Sequence, residues 1–132
     1  MATFVLIHGG GDVGWYWHQV EAELRRRGHD SVAPDLPCDD ESAGLSEYAD
    51  VVVAAVGDRR HLVVVGQSYG GFTAPLVADR VPVDLLVLVA GMIPARAGAT
   101  TITYTLPGAP ICLSANAPAA CNVGGASVTA YA

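Results

Sequence analysis

Residues His61–Gly71 read His-Leu-Val-Val-Val-Gly-Gln-Ser-Tyr-Gly-Gly, and this stretch decides the fold. His61–Val65 is a short, continuously apolar run rich in valine, the pattern of a strand buried on both faces. Gly66-Gln67-Ser68-Tyr69-Gly70 follows it directly, and a helix is expected to run on to about Arg80. The five residues match G-x-S-x-G between a strand and a helix. A sharp strand-to-helix turn of this kind lifts the serine above the sheet, and small residues must flank it because the chain approaches itself closely. Ser68 then stands at a helix N-terminus, where the dipole and free N–H groups favour nearby negative charge. A glycine-rich loop with an incidental serine would carry the same letters. The position between strand and helix favours Ser68 as a nucleophile.

The flanking segments repeat the alternation of strand and helix. Thr3–Ile7 is an apolar strand ended by His8 and three glycines. A helix from about Trp15 to Arg27 places Trp17, Val20 and Leu24 on one face and stops at Gly28. Asp30–Ala33 is a second strand, ended by Pro34. A second helix is expected from Ser46, as its cap, through Tyr48, Val51, Val52 and Ala55 to Gly57. Asp84–Val89 is the fourth strand. Continuously apolar strands alternating with helices define an α/β chain, a parallel sheet covered on both faces by right-handed crossovers. Four parallel strands in the order 2-1-3-4 are expected. Ligands bind beyond the C-terminal ends of such strands. Two glycine-rich turns lie there, one after the first strand and one after the third.

The composition bounds the rest. The chain has 132 residues, 52% hydrophobic and 15% charged, which suits one ordered domain. Thirteen acids against seven arginines and no lysine give a net charge of −6. That balance offers no electrostatic footprint for nucleic acid or anionic lipid. The N-terminus has no basic leader, and Leu85–Ala95 is too short for the ~20 residues of a membrane helix. No nucleic-acid or membrane partner is expected, and a cytoplasmic location is. Three cysteines (Cys38, Cys112, Cys121) suggest neither a disulfide framework nor a zinc site, and free thiols are expected.

The charges are unevenly spread. All lie between Asp12 and Arg96, and residues 97–132 contain no Asp, Glu, Lys, Arg or His. Thr101–Leu106 alternates and Pro107-Gly108 is a turn signal, so a hairpin with Ile111–Leu113 is conceivable. Ser114–Ala132 shows no period, and an irregular or hairpin-like tail is expected.

His8-Gly9-Gly10-Gly11 admits two readings. In one, a backbone N–H of this loop joins that of Tyr69 in an oxyanion hole, which stabilises charge developing on a carbonyl oxygen. In the other, Gly9–Gly14 is a G-x-G-x-x-G dinucleotide fingerprint with Asp35 as its ribose-binding acid. Against the second stand His8 at the loop's opening, the bulky Trp15-Tyr16-Trp17, and a serine turn left without a purpose.

These residues together resemble the N-terminal half of an α/β-hydrolase. The matching stretches are His8-Gly9 with Gly14-Trp15-Tyr16-Trp17, then Gly28-His29, Ala33-Pro34-Asp35-Leu36, and Gly66–Gly71. The branch resembled is the small cofactor-free one of the plant methylesterases, hydroxynitrile lyases and similar bacterial hydrolases. The resemblance covers about residues 3–95. It implies Ser68 as nucleophile, the N–H groups of Gly10 and Tyr69 as oxyanion donors, and structural roles for Asp35 and Gly28-His29. It also implies no cofactor or metal, and a small-molecule ester as substrate.

The sequence departs from that family in one respect. A serine nucleophile needs a general base and an acid to orient it, in the chain order Ser, acid, His for this fold. All four histidines (His8, His18, His29, His61) precede Ser68, and beyond it the only acids are Asp79 and Asp84. Only His8 is expected at the serine's end of the sheet, to support the oxyanion loop, with a base role as the lesser alternative. Residues 1–96 are therefore read as the front portion of a hydrolase fold. Residues 97–132 are read as an uncharged tail that is not its native continuation. The expected function is a cofactor-free serine hydrolase of carboxylic esters acting through a Ser68 acyl-enzyme. The alternatives are a truncated or frame-shifted fragment without activity and, more remotely, a dinucleotide-binding βαβ protein.

Overall fold

The computed structural model describes residues 1–92 throughout, and the backbone of four further strands at 101–105, 111–114, 121–122 and 127–131. β1 (Thr3–Ile7) lies between β2 (Asp30–Val32) and β3 (Leu62–Gln67), and β3 pairs with β4 (Val83–Val89), all in parallel. The order β2-β1-β3-β4 is the one expected. Ile7 is in register with Gly66, and Gln67 with Val89, so the exits of the three inner strands stand side by side.

The valine-rich strands are buried on both faces because consecutive side chains point to opposite sides. Val5, Ile7, Leu62, Val64, Leu86 and Leu88 form one core with Ala49, Val52 and Val56 of α2 (Leu45–Val56) and with Ala74 and Val77 of α3 (Gly70–Ala78). Leu6, Val63 and Val65 form the other with Trp17, against which Phe4 and Leu24 pack, under α1 (His18–Arg26). Each fully buried aliphatic side chain stabilises the fold by about 1.5–3 kcal/mol. The helices thus fall on both faces, with α1 alone on its side among the described residues.

Local details differ from the sequence expectation. The first helix does not begin at Trp15. A tight 3-10 turn over Gly14–Trp17 precedes α1, burying Trp17 and leaving Trp15 and Tyr16 exposed. Val13 offers no capping oxygen there, and the Gly14 N–H donates instead to Asp35 Oδ1 at 2.7 Å. Ser46 is not the cap of α2. Gly44 holds that position, its N–H donating to Glu47 Oε2 at 2.8 Å, while Arg80 donates to the Ser46 hydroxyl at 3.0 Å and ties the end of α3 to α2. The glutamate three residues after Gly44 is the signal that identifies the true start.

The tail pairs otherwise than its alternation suggested. β5 (Thr101–Thr105) pairs antiparallel with β8 (Ser127–Tyr131), not with Ile111–Leu113. β6 (Ile111–Ser114) runs parallel beside β4, with Leu86 opposite Ile111, and β7 (Cys121–Asn122) pairs antiparallel with β6. Among the described residues the sheet is therefore six-stranded, β2-β1-β3-β4-β6-β7. The unpaired edge of β4 is the reason, since it offers a row of backbone donors and acceptors to any extended segment. Cys38 is free, whereas the thiols of Cys112 and Cys121 lie outside the described residues. No helix of the described residues is long and apolar enough to cross a membrane.

Candidate active site

β3 ends at Gln67 and α3 begins at Gly70, so two residues make the turn. Ser68 makes it with φ 49°, in the left-handed region that a residue with a side chain enters at a cost of about 1–3 kcal/mol. Its surroundings hold it there. The Ser68 N–H donates to the Val89 carbonyl at 3.1 Å, and the Ser68 carbonyl accepts from Gly71 N–H at 2.9 Å and Met92 N–H at 2.8 Å. The motif's glycines answer to close packing. A Cβ on Gly66 would stand 2.7 Å from the Gly70 carbonyl oxygen, and one on Gly70 would stand 2.8 Å from the carbonyl oxygens of Ile7 and His8. An incidental loop would not require both.

The loop after β1 lies against this turn. A Cβ on Gly9 would come 3.3 Å from Ser68 Cβ, and one on Gly10 would come 3.5 Å from Tyr69 Cβ. The N–H groups of Gly10 and Tyr69 donate to no acceptor among the described residues. His8 anchors the loop from beneath, fully buried. Leu36 N–H donates to its Nε2 at 3.0 Å, so that nitrogen carries the lone pair, and the bonding pattern assigns the proton to Nδ1, 2.8 Å from the Gly9 carbonyl. Both ring nitrogens are thereby engaged with backbone. Asp35 anchors the loop a second time through Gly14 N–H. This bond gives Asp35 a structural role in the loop, the one the resemblance implies.

The other three histidines contact other groups. His18 stacks on the Trp15 ring with centroids 4.0 Å apart. His29 Nδ1 accepts the Ala2 N–H at 3.2 Å, and His61 Nδ1 lies 3.3 Å from Asp84 Oδ2 at the opposite end of the sheet. Asp79 caps the C-terminus of α3. The Ser68 hydroxyl has no hydrogen-bond partner among the described residues. Among them, too, no three metal-ligating side chains converge.

Sequence reasoning missed the aromatic wall behind the turn. The Tyr69 ring meets Phe72 edge-on at 5.2 Å and Tyr48 at 6.3 Å. The neighbouring Cys38 thiol and, after it, burial raise the Tyr48 pKa above the ordinary phenol value. A cavity of about 400 Å³ opens beside it, lined by Gly11, Val13, Asp35 and Cys38 among others. Tyr48 was legible only as part of a helix face, and nothing near Cys38 in the sequence marks it.

Known proteins match this chain in sequence and in fold. The sequence model of the alpha/beta hydrolase family matches residues 4–126. The chain belongs to this family. Esterase PIR7B of Oryza sativa subsp. japonica is 36% identical over 104 residues, 69% of this chain and 39% of that protein. Methylesterase 7 of Arabidopsis thaliana is 34% identical over 104 residues, 69% of this chain and 40% of its own length. A solved extracellular alpha/beta-hydrolase from a Paenibacillus species is similar with a TM-score of 0.66 and 25% identity, over 72% of this chain and 43% of its own. This hydrolase chain thus spans about two fifths of the length of the curated relatives it matches.

Proposed function

We propose that this alpha/beta hydrolase chain carries the nucleophile and oxyanion hole of a cofactor-free serine esterase. The observation that carries the reading is the left-handed Ser68, set against the N–H groups of Gly10 and Tyr69, which are unpaired among the described residues. In the reaction, Ser68 Oγ attacks the carbonyl carbon of a carboxylic ester. The carbonyl oxygen takes up charge between the two N–H groups, the alcohol leaves, and water hydrolyses the acyl-serine. Tyr69 N–H opens α3, whose dipole adds to that stabilisation. His8 supports the Gly9–Gly11 loop. It is not the base, because both of its nitrogens face backbone groups. Relatives named esterase and methylesterase support a small ester as substrate.

The proton of Ser68 needs an acceptor that neither the described residues nor the uncharged residues 97–132 provide. We read 97–132 as outside the catalytic scheme. The second reading, a chain without activity on its own, is favoured by the Ser68 hydroxyl, which has no partner among the described residues, since an unassisted serine is a weak nucleophile. A fluorophosphonate probe separates the two. Labelling of the parent and none of Ser68→Ala supports the esterase reading, and an unlabelled parent supports the inactive one.

A further inference from the structure

We infer that the turn after β4, Ala90–Met92, is a positioning device for Ser68, acting through the backbone N–H of Met92. Gln67 and Val89 are in register, so Ser68 and Ala90 are the next residues on neighbouring strands. Both are left-handed, with φ 49° and 46°. The two strands therefore leave the sheet by the same kind of turn, side by side. Of the three hydrogen bonds on the Ser68 backbone, two go to this neighbouring segment, at the Val89 carbonyl and the Met92 N–H.

The approach is tight. A Cβ on Gly71 would stand 2.5 Å from the Met92 carbonyl oxygen and 2.8 Å from its nitrogen, so the Met92 backbone lies directly on the first turn of α3. The Ser68 carbonyl accepts two donors, one from its own helix and one from Met92, which uses both of its lone pairs. The Gly71 bond alone is an ordinary turn contact. The Met92 bond crosses from another strand and resists the relaxation of Ser68 to negative φ. Such relaxation would swing the Cα–Cβ bond and carry the hydroxyl away from Gly10 and Tyr69, and displacements of about 1 Å in an active site can cost about a hundredfold in rate. The catalytic consequence rests on the esterase reading of Ser68, whereas the restraint on the turn does not.

The test uses the full chain and two readouts, the rate of fluorophosphonate labelling and amide hydrogen exchange in the peptide Gly66–Phe72. Met92→Pro removes the N–H donor. We expect at least tenfold slower labelling and at least tenfold faster exchange in that peptide, with exchange in Thr3–Ile7 unchanged. Met92→Ala keeps the amide and restores both values. Should Met92→Pro not fold, Ala90→Val disfavours the left-handed turn and slows labelling severalfold, while Ala90→Gly keeps the parent rate. Parent-like labelling and exchange in Met92→Pro, or in Ala90→Val where it replaces that variant, overturn the inference. If the parent itself is not labelled, the esterase reading fails, and exchange alone decides the restraint.

Discussion

β3 is bracketed by two residues with nearly the same unusual backbone, His61 at its entry (φ 55°) and Ser68 at its exit (φ 49°). At the entry, His61 and Asp84 face each other at 3.3 Å, with side chains 75% and 63% exposed. At the exit, Ser68 is walled by the Gly9–Gly10 loop, by Gly70 and by Met92. A six-residue strand separates the ends by about 20 Å. The histidine and carboxylate that serine chemistry uses thus occur as a pair at the end of the sheet opposite Ser68. Backbone strain by itself does not distinguish a site from a strand start. What distinguishes them is how many neighbouring groups hold the strained residue, and whether unpaired donors face it.

The strongest challenge to this contrast is to relax both ends in the same way. Ser68→Gly removes the nucleophile and the strain together. Labelling should vanish while stability rises by about 1 kcal/mol in urea unfolding. Residual labelling would place the reactive group elsewhere. Gly70→Ala tests the packing of the exit, because its Cβ meets two backbone oxygens that cannot move cheaply. We expect a loss of about 1–3 kcal/mol by the same measurement. His8→Leu leaves the Leu36 N–H without its acceptor and should cost about 1–3 kcal/mol. Labelling should slow, and its dependence on pH should keep the parent's shape. Loss of an inflection would return His8 to the role of base.

At the entry, His61→Gly relieves the same strain and gives up only the exposed contact with Asp84, worth about 0–1 kcal/mol. A net gain of at most about 1 kcal/mol is expected, with labelling unchanged. The smallest effect lies away from both ends of β3. Arg26, and then Arg27, hold the Glu23 carboxylate at a pKa of about 2, from an ordinary value of 4.5. The unfolded chain therefore takes up this proton first. The contribution of Glu23 to stability is complete above pH 4.5 and is lost as the pH falls toward 2. A carbon-13 titration of its carboxyl with a midpoint near 4.5 would contradict this.

The strands were legible because Thr-Phe-Val-Leu-Ile and Leu-Val-Val-Val leave no polar face, which only a sheet covered on both sides can accommodate. The turn at Ser68 was legible because Gly66 and Gly70 flank it at fixed spacing. The placement of His29 and His61 at the far end follows from strand direction alone. The 3-10 turn at Gly14–Trp17 was not legible, since it depends on Asp35, more than twenty residues away. Nor was the partner of Thr101–Thr105, because small uncharged residues carry no period from which register can be read.

The sequence by itself determined the α/β class, the strand order β2-β1-β3-β4, the position of Ser68, and the lack of any histidine after it. These follow from local patterns: apolar runs, glycine spacing and chain direction. Only the tertiary structure decided that His8 is engaged through both ring nitrogens, that Asp35 holds Gly14, and that Met92 closes on the Ser68 carbonyl. Each is a hydrogen bond between segments distant in the chain. Its partners are indistinguishable from other backbone groups until packing brings them within 3 Å or so of each other.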